Sequence, residues 1–269
     1  MRVKSETGQP RARSYVTHLA ASGRYSFSSA EAREAMGGTA VANRHALNRL
    51  SKQRMIASPA RGFYVVVPPE YQSLGCLPAD QFIPDLMARQ GLSYYVALLS
   101  AAQYHGAGHH RPQVFQVMLE KNRRPIVCGA IRVSFIARRN LAEIATRQIN
   151  TPRGTIRVST PEATALDLVG YPDHAGGLNQ VATILSELAE QIDADKLAES
   201  ARFAPIPWSQ RLGFLLDLVG AQDKAKPLAI YVKDHAREAT RLIAAASCGD
   251  APRQEVWKVI ENAKVEPDA

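Results

Sequence analysis

Residues 28–67 have the sequence SSAEAREAMGGTAVANRHALNRLSKQRMIASPARGFYVVV. Ser28-Ser29-Ala30-Glu31 matches a capping box, in which the serine hydroxyl and the glutamate carboxylate each accept a hydrogen bond from a backbone N–H. It predicts a short helix from Ser29 to Met36. Gly37-Gly38 can take the positive φ that ends a helix sharply, and Thr39 is placed to cap the next helix. This segment therefore predicts two helices joined by a tight turn.

The second predicted helix has one apolar and one polar face. Ala46, Leu47 and Leu50 recur at i, i+1 and i+4, so they form one stripe, and the opposite side is polar and basic. Polar side chains on such a helix can meet base edges in the major groove of DNA. The candidate DNA-contacting residues here are Thr39, Asn43, Arg44, His45, Asn48 and Arg49, with Lys52 directed toward phosphate.

A hairpin is predicted next, because extended segments at 55–57 and 63–67 flank Ser58-Pro59-Ala60-Arg61-Gly62. Arg61 lies at its tip and is the candidate phosphate contact of a wing. Tyr15, Val16 and Leu19 predict an earlier helix, after a flexible arm over residues 1–10. Residues 11–69 are thus predicted to be a winged helix-turn-helix DNA-binding domain. The alternative is a protein-interaction winged helix whose polar face is only solvated.

The charge distribution favours a nucleic-acid partner for this region. The chain of 269 residues carries a net charge of +8, and residues 1–61 contain eleven Lys or Arg against three Asp or Glu. The three cysteines are widely spaced and form no CxxC pair, so no disulfide framework or cysteine zinc site is expected. Without a signal peptide or a stretch of ~20 apolar residues, we expect a cytoplasmic protein that does not enter a membrane.

The remainder of the chain is predicted to be α+β. Helices are expected at 81–90 and 94–104, and extended segments predict an antiparallel sheet over about 114–159, including a hairpin of 143–150 with 155–158. Helices are expected over about 161–246, at 161–169, 178–191, 195–201, 208–219 and 235–246. The predicted fold class is therefore an N-terminal winged helix-turn-helix followed by a larger domain with an antiparallel sheet and a C-terminal helical bundle.

The chain has no motif that requires catalysis. It contains no phosphate-binding loop, nucleophile elbow, H-E-x-x-H motif or interpretable pair of carboxylates, so we expect no enzyme activity and no cofactor. His105, His109 and His110 have no carboxylate or cysteine at ligand spacing, and glycines interrupt the segment, so we predict no metal. Glu162 and Asp167 are interpreted as structural residues of a helix, the first favouring the helix dipole.

Arginines are frequent in the predicted sheet. They could contact RNA, a nucleotide or an acidic partner, or they could form a solvated antiparallel face, and the pattern does not separate these interpretations. The candidates are Arg123, Arg124, Arg132, Arg138, Arg139 and Arg157.

Four segments together resemble the AbiEi family, the antitoxin and repressor component of type IV toxin–antitoxin systems. They are the wing end at 61–64 (RGFY), the segment 99–106 (LSAAQYHG), the segment 159–168 (STPEATALDL) and the segment 210–216 (QRLGFLL). The chain departs from the family pattern at Ala102, at Ala107-Gly108 and at Ala163, where the family usually has Leu, Leu and Arg.

The resemblance implies that residues 76–269 form an antitoxin domain and that the N-terminal domain represses its own operon by binding inverted repeats of operator DNA. It also implies an AbiEii-like nucleotidyltransferase toxin as functional partner, whose effect is antagonised without a stable complex being assumed. One alternative is a winged-helix transcriptional regulator with a ligand- or protein-sensing C-terminal domain and no toxin. Another is a nuclease or nucleotide-processing surface on the arginine-rich sheet.

Overall fold

The computed structural model describes residues 9–108 and 112–267. Its N-terminal unit contains three helices and a three-stranded antiparallel sheet of order β1-β3-β2. This is the element order of a winged helix-turn-helix, with the β2–β3 hairpin as the wing. The elements are α1 (Gln9–Ala21), β1 (Ser26–Ser28), α2 (Ser29–Met36), α3 (Ala40–Lys52), β2 (Ile56–Ala60) and β3 (Phe63–Val66).

The core of this unit forms around Phe27, which is fully buried. Its ring centroid lies 5.4 Å from those of Tyr15 on α1 and Tyr64 on β3. Leu47 and Leu50, from the apolar stripe of α3, pack in the same cluster. Burial of this stripe holds α3 against the sheet, so its polar side faces solvent.

A six-stranded sheet follows, of order β6-β7-β5-β4-β9-β8. The prediction of an antiparallel sheet is wrong for two pairs, since β5 runs parallel to β7 and β4 runs parallel to β9. The β6–β7 and β8–β9 hairpins are antiparallel, as expected. The parallel pairs join strands that are not neighbours in sequence, and local patterning does not encode such pairing. The strands are β4 (Tyr95–Val96), β5 (Phe115–Leu119), β6 (Ile126–Cys128), β7 (Ile131–Ala137), β8 (Thr146–Thr151) and β9 (Gly154–Ser159).

The helices beyond the N-terminal unit precede, interrupt and follow this sheet. They are α4 (Ile83–Arg89), α5 (Leu98–Tyr104), α6 (Pro161–Gly170), α7 (Leu178–Leu188), α8 (Ala194–Ala201), α9 (Ile206–Leu218) and α10 (Gln222–His235). Three short strands, β10 (Thr240–Arg241), β11 (Arg253–Gln254) and β12 (Val259–Ile260), form a small sheet after them. Within the described ranges, no helix is long and apolar enough to span a membrane.

Two predicted helices differ from the structure. The helix expected at 94–104 is α5 alone, because Tyr95 and Val96 pair with β5 and Leu98 has a φ of +53°. The helix expected at 235–246 is wrong. The helix in this region, α10, contains Pro227 and ends at His235. After it, the backbone N–H of Thr240 donates to the carbonyl of Lys258. Non-local pairing with β12 overrides the helix propensity of the alanine-rich segment.

Both faces of the large sheet are covered. Tyr95 and Met118 face the helical bundle, where they share a core with α6, α7 and α9. Val117 and Val133 face the other way, and their cluster includes Phe63 and Val65 of the wing hairpin. The predicted domains 11–69 and 76–269, which residues 70–75 connect, therefore both contribute side chains to one hydrophobic core.

Candidate nucleic-acid interface

The α2–α3 turn has the geometry that the sequence predicts. Ser28 Oγ accepts from the Glu31 backbone N–H at 3.1 Å, and Glu31 Oε2 accepts from the Ser28 backbone N–H at 2.6 Å. Gly37 and Gly38 have φ values of +65° and +80°. Thr39 Oγ1 accepts from the Ala42 backbone N–H at 3.2 Å and caps α3. Local hydrogen bonds thus set the angle at which α3 leaves the turn.

The structure exposes all of the predicted DNA-contacting residues except Asn43. Asn43 is 9% exposed, and its Nδ2 donates to the carbonyl of Gly37 at 2.9 Å. Its amide therefore stabilises the glycine turn and does not face the solvent where DNA would lie. The exposed candidates are Thr39, Arg44, His45, Asn48, Arg49, Lys52 and Arg61.

The wing tip is attached to the start of α2. The carbonyl of Gly62 accepts from the Ser29 backbone N–H at 3.0 Å, and Ser58 Oγ donates to the carbonyl of Phe63 at 3.0 Å. Gly62 takes a φ of +74° beside the exposed Arg61. Because the tip is held to α2, Arg61 keeps a defined position relative to the helix-turn-helix.

A groove of about 440 Å³ lies between the exposed sides of α2 and α3. Arg33 of α2 and Arg44 of α3 both line it, together with Tyr64 of the wing. Sequence reasoning did not include Arg33 among the candidate contacts. Arg33 is an exposed basic residue in the middle of α2, the helix that precedes the predicted recognition helix, and this position is the signal that could have identified it.

Polar contacts join the N-terminal unit to the rest of the chain. Glu31 accepts from Arg24 at 2.7 Å and from Arg89 of α4 at 2.6 Å. The hydrogen bond from Arg89 is the main cause that lowers the pKa of Glu31 to about 2, and the Ser28 backbone N–H adds to it. Asp85 accepts from Ser26 Oγ at 2.6 Å, and Arg153 Cζ lies 3.3 Å from the Tyr25 ring centroid. These contacts attach α2 and the β1 region of the N-terminal unit to α4 and to the β8–β9 turn.

The six arginines proposed as a partner surface do not form one patch. Arg138 is 4% exposed, so the prediction of a surface role is wrong for this residue. Arg132 and Arg139 are exposed but lie seven residues apart along β7 and its end, which is roughly 20 Å in a strand. Arg157 lies on β9, beyond β5 and β4. Arg123 donates to Gln90, and Arg124 is exposed in the same loop.

Arg138 is buried beside Asp167, and its guanidinium neutralises the charge of that carboxylate. Its Nε donates to Asp167 Oδ1 at 3.0 Å, and Tyr95 Oη donates to Asp167 Oδ2 at 2.8 Å. Burial raises the pKa of Asp167, and the charge of Arg138 opposes that rise. The guanidinium lies 4.7 Å from the Trp208 ring centroid. The structural interpretation of Asp167 is confirmed.

The other sequence motifs also contact one another in the core. His105 is buried, and its Nε2 lies 2.7 Å from the carbonyl oxygen of Ser159. Gln210 Nε2 donates to the carbonyls of Glu238 and Lys258, each at 3.0 Å. Glu162, in the first turn of α6, accepts from the Asp193 backbone N–H at 3.0 Å. These motif residues hold together α5, α6, α9 and the C-terminal strands.

The histidine segment gives no metal-binding geometry in the part of the chain that is described. His109 and His110 lie outside the described residues. Elsewhere, no group of three or more His, Cys, Asp or Glu among the described residues could hold a metal ion. His105 is engaged with Ser159 and, through Nδ1, with Arg147.

The crystal structure of the RV2827C protein from Mycobacterium tuberculosis has the same fold, with a TM-score of 0.67 and 19% identity, over 96% of this chain and 94% of that one. A comparison with curated proteins gives no match. The chain is thus a mixed α/β protein whose N-terminal elements follow the order of a winged helix-turn-helix.

Residues 95–218 match the family model of the AbiEi antitoxin C-terminal domain. Three of the four motifs found in the sequence, at 99–106, 159–168 and 210–216, lie within this match, which confirms the resemblance to the AbiEi antitoxin family over these residues. This match supports an antitoxin role in a toxin–antitoxin system.

Proposed function

We propose that this chain is an AbiEi-type antitoxin that also represses its own operon by inserting α3 into the major groove of inverted-repeat operator DNA. The observation that carries this proposal is the exposed polar side of α3, which contains Arg44, His45 and Asn48 and no acidic residue. The basic groove beside it and Arg61 on the wing add positive charge toward the same ligand. A polyanionic duplex fits this charge and shape.

The proposed contacts divide into two kinds. Arg44, His45 and Asn48 meet base edges, while Lys52, Arg33 and Arg61 contact phosphate. Phosphate contacts supply salt-dependent affinity, and base contacts supply sequence preference. A single helix reads only a few base pairs, so two copies on an inverted repeat are expected to provide the specificity.

For residues 76–269 we propose antagonism of an AbiEii-like nucleotidyltransferase toxin. The family match over residues 95–218 supports this, and the motif residues there form a continuous buried framework. The toxin's effect is countered without a stable complex being required. Residues 11–69 and 76–269 both contribute to one core. We therefore propose that the boundary between them separates two functions and does not separate two hydrophobic cores.

The test uses the full chain, since removal of the N-terminal unit would expose its shared core. Arg44→Ala with His45→Ala is expected to abolish operator binding in gel shifts at fixed salt while the variant still rescues cells that express the toxin. His235→Ala with Arg237→Ala is the matched control, because both residues are exposed and distant in sequence. Unchanged affinity of the first variant contradicts the DNA-binding proposal, and failure of the wild-type chain to rescue contradicts the antitoxin proposal.

A cleft between the two units favours a second candidate, a winged-helix regulator that senses a ligand and has no toxin partner. Its volume is about 550 Å³, and its lining includes Arg24, Arg89, Arg153 and Tyr25. Cationic and aromatic groups at a junction could couple an anionic ligand to the orientation of α3. A toxin gene adjacent to the gene for this chain, whose product is counteracted by it, excludes this candidate.

A further inference from the structure

Val41 is a large apolar residue on the solvent side of α3. It is 55% exposed, although the helix has an apolar stripe packed in the core. Val41, His45, Asn48 and Lys52 have the spacing i, i+4, i+7 and i+11, so they form one line along the helix. Asn43, Ala46, Leu47 and Leu50 are buried on the opposite side. Val41 thus lies on the midline of the exposed face.

Folding gives no reason for a valine at this position. A β-branched residue lowers helix propensity, and a half-exposed valine gains only part of the free energy of burial. An alanine or a polar residue would stabilise the free helix at least as well. Single exposed apolar residues are common on protein surfaces, but Val41 lies at the centre of the basic face that is proposed to bind DNA, so a ligand of this face would cover it.

The partner of this face is duplex DNA, if the proposed function holds. The N-terminal residues of a recognition helix contact base edges, and Val41 is in the first turn of α3. The only apolar group that the bases present in the major groove is the C5-methyl group of thymine. Arg44 lies beside Val41 in the groove between α2 and α3, where it can bind a neighbouring base.

We propose that Val41 is a specificity-determining residue that packs against the C5-methyl group of one thymine in each operator half-site. The inference rests on the proposed DNA binding and adds to it a base identity and an apolar contact. It differs from the contacts of Arg44, His45 and Asn48, which are polar. It also assigns a role to Val41, which is not among the charged and hydrogen-bonding residues predicted to contact DNA.

The experiment starts by selecting duplexes from a random library with the full-length protein. Each thymine of the selected half-site is then replaced singly by uracil, which removes only the methyl group. For the wild-type protein, we expect one thymine at which the dissociation constant rises about fourfold, the factor for one methyl-sized group that is no longer buried. Val41→Ala should bind the thymine and uracil duplexes equally.

Val256→Ala is the matched control, because Val256 is 56% exposed in the C-terminal segment. It should discriminate thymine from uracil as the wild type does. Val41→Ala is expected to fold, since alanine is the better helix former, and circular dichroism checks this. Full discrimination by Val41→Ala, or none by the wild type at any thymine, overturns the inference and leaves the DNA-binding proposal intact. If the wild type selects no duplex, both are overturned.

Discussion

Glu31 of α2 accepts a hydrogen bond from Arg89 of α4 at 2.6 Å while it also accepts from the backbone N–H of Ser28. The same carboxylate therefore caps the first helix of the helix-turn-helix and attaches it to the larger unit. Arg24 donates to its other oxygen at 2.7 Å. A local capping signal and a long-range ion pair thus converge on one side chain.

Glu31→Gln tests this double role. Glutamine can still cap the helix, so the loss is that of the ion pairs, about 1 kcal/mol or less for partly exposed groups. Because folding lowers the pKa of Glu31 from 4.5 to about 2, its contribution is present above pH 4.5 and is lost as the pH falls toward 2. Denaturant unfolding between pH 5 and pH 2 measures it. In Glu34→Gln, on the exposed side of α2, the free energy of unfolding should vary with pH as it does in the wild type. An equal loss of unfolding free energy in both variants contradicts the prediction.

His105→Asn tests the buried histidine in a separate pH range. Burial is the main cause that lowers the pKa of His105 from 6.5 to about 4. Since the folded pKa is the lower one, the contribution to stability is complete above pH 6.5 and is lost as the pH falls to 4, up to about 3 kcal/mol. His105→Asn should have a lower free energy of unfolding at neutral pH, and this free energy should change less with pH between 6.5 and 4. His18→Asn, exposed on α1, is the control, and an unchanged slope in His105→Asn argues against the assignment.

Arg138→Met should strongly destabilise the protein. The substitution leaves the Asp167 carboxylate buried without its cation, and the loss of one partner of a buried pair costs roughly 3–5 kcal/mol. Urea denaturation at pH 7 measures the difference. Arg139→Met is the matched control at the next position, where the side chain is exposed and a change within about 0.5 kcal/mol is expected. Similar stability of both variants would show that the buried pair contributes little.

Gly213→Ala should also destabilise, against the usual trend. In a helix interior this change normally stabilises by about 0.5–1 kcal/mol. A Cβ at Gly213, however, would overlap the ring of Trp257, whose Nε1 donates to Asp217 at 2.6 Å. Overpacking is expected to cost roughly 1–3 kcal/mol and to displace the ring. Thermal unfolding and tryptophan fluorescence report both effects, and a raised melting temperature contradicts the prediction.

Much of the N-terminal unit could be predicted because its signals are local. The capping box, the glycine turn and the stripe of α3 each involve residues within a few positions of one another. The polar side chain of Asn43 predicts a DNA contact, although the residue flanks the apolar stripe of α3. Only the position of the Gly37 carbonyl shows that its amide is already bonded.

Less of the larger unit could be predicted. The alternation of β7 identifies Arg132 as exposed, but it does not separate Arg138, which is buried, from Arg139, which is exposed. Arg138 directly follows β7 and lies beside Asp167, which belongs to α6. The segment 236–246 has helix propensity but pairs with strands near the C-terminus, so its propensity is a poor guide.

The sequence by itself determined the two helices of the turn, the basic face of α3, the wing and the family motifs, since these depend on the order and spacing of nearby residues. The tertiary structure alone decided the mixed strand order, the burial of Arg138 and the attachment of Glu31 to Arg89. The Arg138–Asp167 and Glu31–Arg89 partners are separated by 29 and 58 residues. Which charges meet across such distances depends on how the hydrophobic faces pack, and packing is a property of the whole folded chain.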